Sequence, residues 1–347
     1  MPLRASCNER GTEMKTLRCG VIGLGRLGYR HAANLAGSVA NASLVAVSDS
    51  SEEALSRFAQ AYPSVLQFHD YRALLAVKEL DAVIIASSTT MHAPMVADAI
   101  RAGKAIFCEK PLSLDLEEAK AIRALAREHG AFVQLGFMRR FDTAYRRAKE
   151  KIDNNEVGKP ISLLGISRDP SCPPIAFAAS SGGLILDLCV HDLDLCRWYA
   201  GSEAVEIYAR GGVIRYEELA GVNDIDHVNI DVRFANGFLA SLEGSRNSQY
   251  GYDVRTEIVC SEGALFVGSL QELPLQHMAP DGIRVGTIPG FLERFAQAYL
   301  QELECFVQDV LAGKGSAVGV EDGVAALELC LAANVSLATN RPVTIPQ

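Results

Sequence analysis

Apolar positions run along this chain in two rhythms, and the rhythm changes near residue 136. Before it, short and nearly continuous apolar runs at 17–22, 42–48, 66–68, 82–86, 105–107 and 132–135 alternate with stretches of helical spacing at 29–36, 51–62, 71–77, 93–102 and 116–129. Strands apolar on every position are covered on both faces, so this alternation predicts a parallel sheet wrapped by helices. After it, period-two segments at 160–167, 204–210, 227–234, 237–243, 254–260 and 263–267 predict a large, mainly antiparallel open sheet, with Asn236-Gly237 as a hairpin signal. Helical spacing recurs at 145–154, 184–199, 291–311 and 320–339. The expected fold class is α/β in two parts, 17–136 and 137–347, behind an N-terminal extension at 1–16; the last helix could dock back on the first part.

Chemistry concentrates where the predicted strands end. The first strand runs into Gly23-Leu24-Gly25-Arg26-Leu27-Gly28 and then a helix. In that context the three glycines give a tight turn, close approach to a pyrophosphate and close helix–strand packing, with the helix N-terminus toward the phosphates. This is a Rossmann dinucleotide turn. The second strand ends in Asp49, placed to accept from adenosine ribose hydroxyls and to repel a 2′-phosphate, which favours NAD over NADP; Asp49 can also cap the following helix, and the two roles are compatible. At the next strand end, the hydroxyls of Ser87, Ser88 and Thr89 suit either cofactor contact or helix capping, and His92 either cofactor contact or packing. The run at 105–107 leads into Cys108-Glu109-Lys110-Pro111, so the Lys110 ammonium projects from a strand end into the same crevice, with Glu109 beside it.

In the second half, Ser181-Gly-Gly183 precedes a helix bearing Asp187 and His191 four residues apart. That spacing puts a carboxylate one turn below an imidazole, where it can fix the tautomer. These two supply too few donors for a metal site, and no metal is expected.

Composition narrows the function. With 49% hydrophobic and 22% charged residues the chain reads as a compact soluble protein, and its formal charge of -9 argues against nucleic acid or an anionic membrane as partner. Apolar stretches such as 81–86 are too short to span a bilayer. Nine cysteines without a Cys-x-x-Cys pair indicate reduced thiols and a cytoplasmic protein. Residues 1–16 lack a secretory signal's apolar core, and 1–13 read as a disordered extension. An open sheet with helices on one face needs a cover on the other, which a partner subunit would supply.

Taken together, the glycine turn, Cys108-Glu109-Lys110-Pro111, Gly136-Phe-Met-Arg-Arg-Phe-Asp142 and Gly182-Gly-Leu-Ile-Leu-Asp187-Leu-Cys-Val-His191-Asp192 resemble the GFO/IDH/MocA oxidoreductases, most closely the inositol 2-dehydrogenase branch. The resemblance runs from about Leu17 to the last helix. It implies NAD as cofactor, a polyol or sugar substrate, and a homotetramer built through the open sheet. It also implies that Lys110, Asp187 and His191 are catalytic and substrate-binding, that Met138 and Arg139 line the nicotinamide region, and that Tyr250 contacts substrate. The chain departs from the pattern at Ser87-Ser-Thr89, where many relatives carry Thr-Pro-Asn. Other sugar dehydrogenases and non-catalytic dinucleotide sensors share the fold; the presence of Lys110, Asp187 and His191 favours an enzyme.

Overall fold

A computed structural model describes residues 15–346, and the expectation for residues 1–13 lies outside them. The first rhythm builds β1 (Leu17–Ile22), α1 (Arg26–Gly37), β2 (Ala42–Ser48), α2 (Glu52–Ala61), β3 (Leu66–Phe68), α3 (Tyr71–Leu75), β4 (Ala82–Ile85), α4 (His92–Arg101), β5 (Ala105–Glu109), α5 (Leu116–His129) and β6 (Val133–Gly136). All six strands are parallel, in the order β3-β2-β1-β4-β5-β6. The chain reverses its direction of winding between β1 and β4, and a doubly wound sheet takes its ligand beyond the strand ends at that point. Local signals set the helix ends. Ser51 accepts from Ala54 N to cap α2, Asp115 accepts from Glu118 N to cap α5, and Gly130 closes α5; such a side-chain cap contributes about 1 kcal/mol.

The second rhythm builds α6 (Thr143–Asp153), β7 (Pro160–Arg168), α7 (Ile175–Ser181), a π-turn over Ile185–Cys189, α8 (Val190–Ala200), β8 (Ala204–Gly212), β9 (His227–Phe234), β10 (Leu239–Ser245), β11 (Asp253–Cys260), β12 (Gly263–Gly268), β13 (Gln271–Ala279), β14 (Gly282–Thr287), α9 (Phe291–Arg294), α10 (Ala296–Ala312), α11 (Val320–Thr339) and β15 (Val343–Thr344). Seven strands form one sheet in the order β12-β11-β7-β10-β9-β8-β15. Only β7 and β10 pair in parallel, so the sheet is mainly antiparallel. On β9 the alternation is complete, with Val228, Ile230, Val232 and Phe234 buried toward the helices and the residues between them exposed.

Three local expectations change. A short helix, α7, follows the proline-rich loop at 169–174. The single helix expected at 184–199 begins with a π-turn. The helix expected at 291–311 breaks at Phe295, whose backbone leaves the helical region while its ring is fully buried against Tyr252 and Arg139. The β13–β14 ribbon had no period-two signal, and its Leu273, Leu275, Met278 and Ile283 are largely exposed.

The two sheets are joined by the last helices. Leu303, Phe306 and Val307 of α10 share a core with Val21, Ile84 and Phe107 of the parallel sheet. Leu135 N, at the edge strand β6, donates to Val318 O just before α11. By length and hydropathy α11 could cross a bilayer, a candidate not counted among the short apolar stretches of the sequence. Here it is packed instead among α5, α8 and β8, with Leu327, Cys330 and Ala333 fully buried.

Candidate active site

The carboxyl ends of β1, β4 and β5 face the π-turn across a cleft of about 760 Å³. A second cavity of about 630 Å³ opens beside it at the ends of β1, β2 and β4. Gly25, Ala86 and Ser87 line both, so the two form one elongated groove.

At the phosphate end, a side chain on Gly28 would place its Cβ 2.0 Å from Gly23 O, so α1 can lie this close to the turn only with glycine there. Gly25 meets nothing within 4 Å and offers no side chain to cap α1. The first-turn amides, which have no intrahelical acceptors, are therefore left for an anion. Arg26 and Leu27 line the cleft beside them. Asp49 lines the second cavity, and its carboxylate accepts from Leu24 N at 2.7 Å and from Ser51 N at 2.8 Å. It thus braces the glycine turn, a role the sequence did not indicate. The cap of α2 is Ser51, not Asp49.

Ser87 lines both cavities, Ser88 the second, and Thr89 the cleft. His92 bridges two strand-end loops: Nδ1 lies 2.8 Å from Pro111 O and Nε2 3.2 Å from Ser87 O. Burial pushes its imidazole below the usual histidine value. It positions the loops while one edge lines the cleft.

At the reaction end, the Lys110–Pro111 peptide is cis, and Lys110 Nζ donates to Asp187 O at 2.7 Å, with Asp187 Oδ1 at 3.5 Å. Asp187 sits on the π-turn, a feature frequent at functional sites because it departs from the regular hydrogen-bond ladder. His191 follows one turn later and lines the same cleft. The expected contact between Asp187 and His191 does not form. His191 Nδ1 is buried with no hydrogen-bond partner, and the widened turn directs Asp187 to Lys110 and Arg246 instead. Burial, then the charges of Lys110 and Arg139, push His191 well below the ordinary histidine range.

Two assigned residues stand apart from the cleft. The Arg139 guanidinium is 1% exposed and pairs with Asp192 at 2.7 Å, its second branch donating to Ser167; neighbouring Met138 does line the cleft. Tyr250 is 46% exposed and donates to Asp253 while accepting from Arg168, and it is Tyr252 that reaches the cleft.

Sequence reasoning missed Arg246, and it did not single out Asp169 within its loop. Arg246 is fully buried, holds Asp187 at 3.5 Å and Asp224 at 3.3 Å, and lines the cleft. Asp224 also accepts from Leu184 N, and a Cβ on Gly183 would come within 2.7 Å of that carboxylate, which explains the glycine at 183; at Gly182 a Cβ would come within 2.8 Å of Leu114. Asp169, on the cleft wall, is pushed up to about 6 by burial and by Asp187. Nothing in the period-two pattern around either residue distinguishes it from an ordinary strand-end charge.

An uncapped helix N-terminus at a glycine turn, a carboxylate at the next strand end and a lysine at the far end of one groove are the parts of an NAD-dependent oxidoreductase acting on an alcohol. Residues 17–137 match the oxidoreductase family with an NAD-binding Rossmann fold, and residues 145–266 the GFO/IDH/MocA C-terminal domain. The chain belongs to the GFO/IDH/MocA family. It is 38% identical over 329 residues to the scyllo-inositol 2-dehydrogenase (NAD(+)) of Bacillus subtilis, covering 95% of this chain and 96% of that one. Identity to the myo-inositol 2-dehydrogenase of Thermotoga maritima is 37% over 332 residues, covering 95% and 99%. Among solved structures, scyllo-inositol dehydrogenase from Lactobacillus casei with bound NAD(H) and scyllo-inositol superposes with a TM-score of 0.90 at 33% identity, covering 95% of this chain and 99% of that one.

Proposed function

We propose that the protein oxidises a secondary hydroxyl of a cyclic polyol, myo- or scyllo-inositol, to the ketone. The observation that carries this reading is the convergence of Lys110, Asp187 and His191 on the groove that begins at the glycine turn. NAD suits the open amides at Gly25 to Gly28 and the Asp49 carboxylate, and when bound it accepts the carbinol hydride. Lys110, held in place by the Asp187 carbonyl, donates a hydrogen bond to the reacting oxygen as negative charge develops there. His191, kept unprotonated near neutral pH by burial, is the group free to take up the hydroxyl proton as the C–H bond breaks. Asp187 and Asp169 offer acceptors to the polyol's other hydroxyls, and Arg246 fixes the Asp187 carboxylate.

The relatives named for inositol support the choice of ring alcohol. A screen of inositol isomers and sugars with NAD and NADP tests it. The highest kcat/KM should fall on an inositol; a pyranose sugar preferred tenfold or more would replace the substrate assignment while keeping the chemistry.

We further assign the protein to the cytoplasm as a homotetramer. The eight described cysteines are all free thiols, as reducing conditions keep them. The outer sheet face and the β13–β14 ribbon expose Leu164, Phe266, Leu275 and Met278, and exposed apolar patches of this kind mark association surfaces.

A further inference from the structure

Behind Lys110 lies a polar cluster that the proposed proton transfer does not use. His31 on α1, Glu109 on β5 and Glu302 on α10 are all buried, and one ligand atom of each lies within 4.8 Å of the others. His31 Nε2 is 2.7 Å from Glu109 Oε1. Both carboxyl oxygens of Glu302 are buried without a hydrogen-bond partner. An isolated carboxylate in that position is very costly, so the group is held as the neutral acid. Burial and the neighbouring Glu109 both push Glu302 well above the ordinary carboxyl range. Glu109 lines the cofactor groove, whereas Glu302 does not, so the cluster meets the groove through Glu109 alone.

The remaining titratable groups around the cluster are few. Tyr299 lies on α10 with its ring against His31, Cys108 and Lys110 flank Glu109 on β5, and His92 faces it from α4. Cys108 and Tyr299 are pushed well above their usual values by burial, and so hold their protons near neutral pH. Glu302 is the carboxyl that burial keeps protonated, with no hydrogen-bond partner beside it.

We infer that His31, Glu109 and Glu302 form a buried proton store that releases one proton when oxidised NAD binds, so that preference for the oxidised over the reduced cofactor rises with pH. The nicotinamide ring is cationic when oxidised and neutral when reduced, and added negative charge beside the groove favours the cation. The proton leaves the Glu302 carboxyl and reaches solvent by way of Glu109, the member of the cluster that lines the groove; no electrons move. The inference uses the NAD site and not the identity of the polyol, and it is tested without substrate, so failure of the substrate assignment leaves it standing.

Binding of NAD⁺ and of NADH is measured by calorimetry in two buffers of different ionisation enthalpy, from about pH 6 to about pH 9. The unmutated protein should release more protons with NAD⁺ than with NADH, and the ratio of the two dissociation constants should change by about three- to tenfold per pH unit. Glu302→Gln, which mimics the neutral acid in shape, should remove the excess release and flatten the ratio. Equal proton release with both cofactors in the unmutated protein overturns the inference, and this measurement does not depend on the variant folding. Excess release that persists in Glu302→Gln also overturns it, by assigning the proton to Lys110. So does a stoichiometric divalent ion in the purified protein that Glu302→Gln loses, since the cluster would then be a metal site.

Discussion

Lys110 Nζ is held by the main-chain carbonyl of Asp187 at 2.7 Å, closer than by the carboxylate of the same residue at 3.5 Å. The lysine is therefore located by the backbone of the π-turn, and the Asp187 side chain is left to act on charge and substrate. Asp187→Asn should keep Lys110 in place while lowering kcat/KM through both rate and substrate affinity. An unchanged KM for the best polyol would show that the carboxylate does not touch substrate.

Removing the lysine separates chemistry from cofactor binding. A positioned general acid or base contributes about 10² to 10⁴-fold, so Lys110→Ala should lose turnover on that scale. NAD affinity, set at the glycine turn, should survive. His191→Ala should lose rate similarly, and the double variant should fall by less than the product of the two, because the proposed mechanism makes them one proton-handling unit. Full multiplicativity in steady-state kinetics would mean that they act independently.

Arg246 should matter for stability as well as rate. Its removal leaves Asp224 without its buried cation and Asp187 with Lys110 alone, and breaking a buried pair on one side costs about 3–5 kcal/mol. Arg246→Met should lower the denaturant midpoint strongly, and Arg246→Lys should recover only part of it, because an ammonium cannot reach both carboxylates as the guanidinium fork does. The check is chemical denaturation at neutral pH.

Asp49 braces the turn it also guards. Asp49→Ala should weaken NAD binding and narrow its advantage over NADP, because both the ribose acceptor and the brace to Leu24 N are lost. Asp49→Asn keeps a carbonyl acceptor and should retain more of the NAD affinity. Fluorescence titration with both cofactors distinguishes these outcomes.

Two buried histidines each make stability fall on the acid side. His92 and His191 both bind protons less readily folded than unfolded, because burial disfavours their charged forms. Below the unfolded value of about 6.5 the unfolded chain gains protons that the folded one refuses, and each histidine then removes up to about 1.4 kcal/mol per pH unit. Asp169 and Glu302 work in the opposite direction: their folded forms hold protons more readily, so their contribution is lost as pH rises from the unfolded carboxyl value toward the folded one, which for Asp169 is about 6. His92→Gln should flatten the acid limb between about pH 6.5 and pH 5 in a series of denaturation curves.

Assembly through the outer sheet face is tested by charge. Leu164→Glu with Phe266→Glu places carboxylates on exposed apolar positions of that face and should dissociate the oligomer with little cost to the subunit fold. Light scattering should then report a smaller mass than for the parent. A parent that is already monomeric at micromolar concentration would remove the assembly assignment.

Much of this was legible in the chain because it is local. The period of apolar positions gave the parallel strands, the glycine turn announced the dinucleotide site, and Asp115 with Gly130 set both ends of α5, since each rests on contacts a few residues apart. The order of elements also placed Lys110 and Asp49 at strand ends facing one groove. What the tertiary structure decided is which charges meet across long separations. Helical spacing paired Asp187 with His191, but one widened turn and the approach of Lys110 and Arg246 from other strands took the carboxylate away. Arg139 looked free for the cofactor until Asp192 and Ser167 closed around it, and Tyr250 and Tyr252, two residues apart on the chain, were sorted to different surroundings. His31, Glu109 and Glu302 come from three elements and share one buried spot only because α10 packs on the first sheet. A buried charge is governed by whichever partner can reach it, and reach across a fold is not written in the spacing of neighbours.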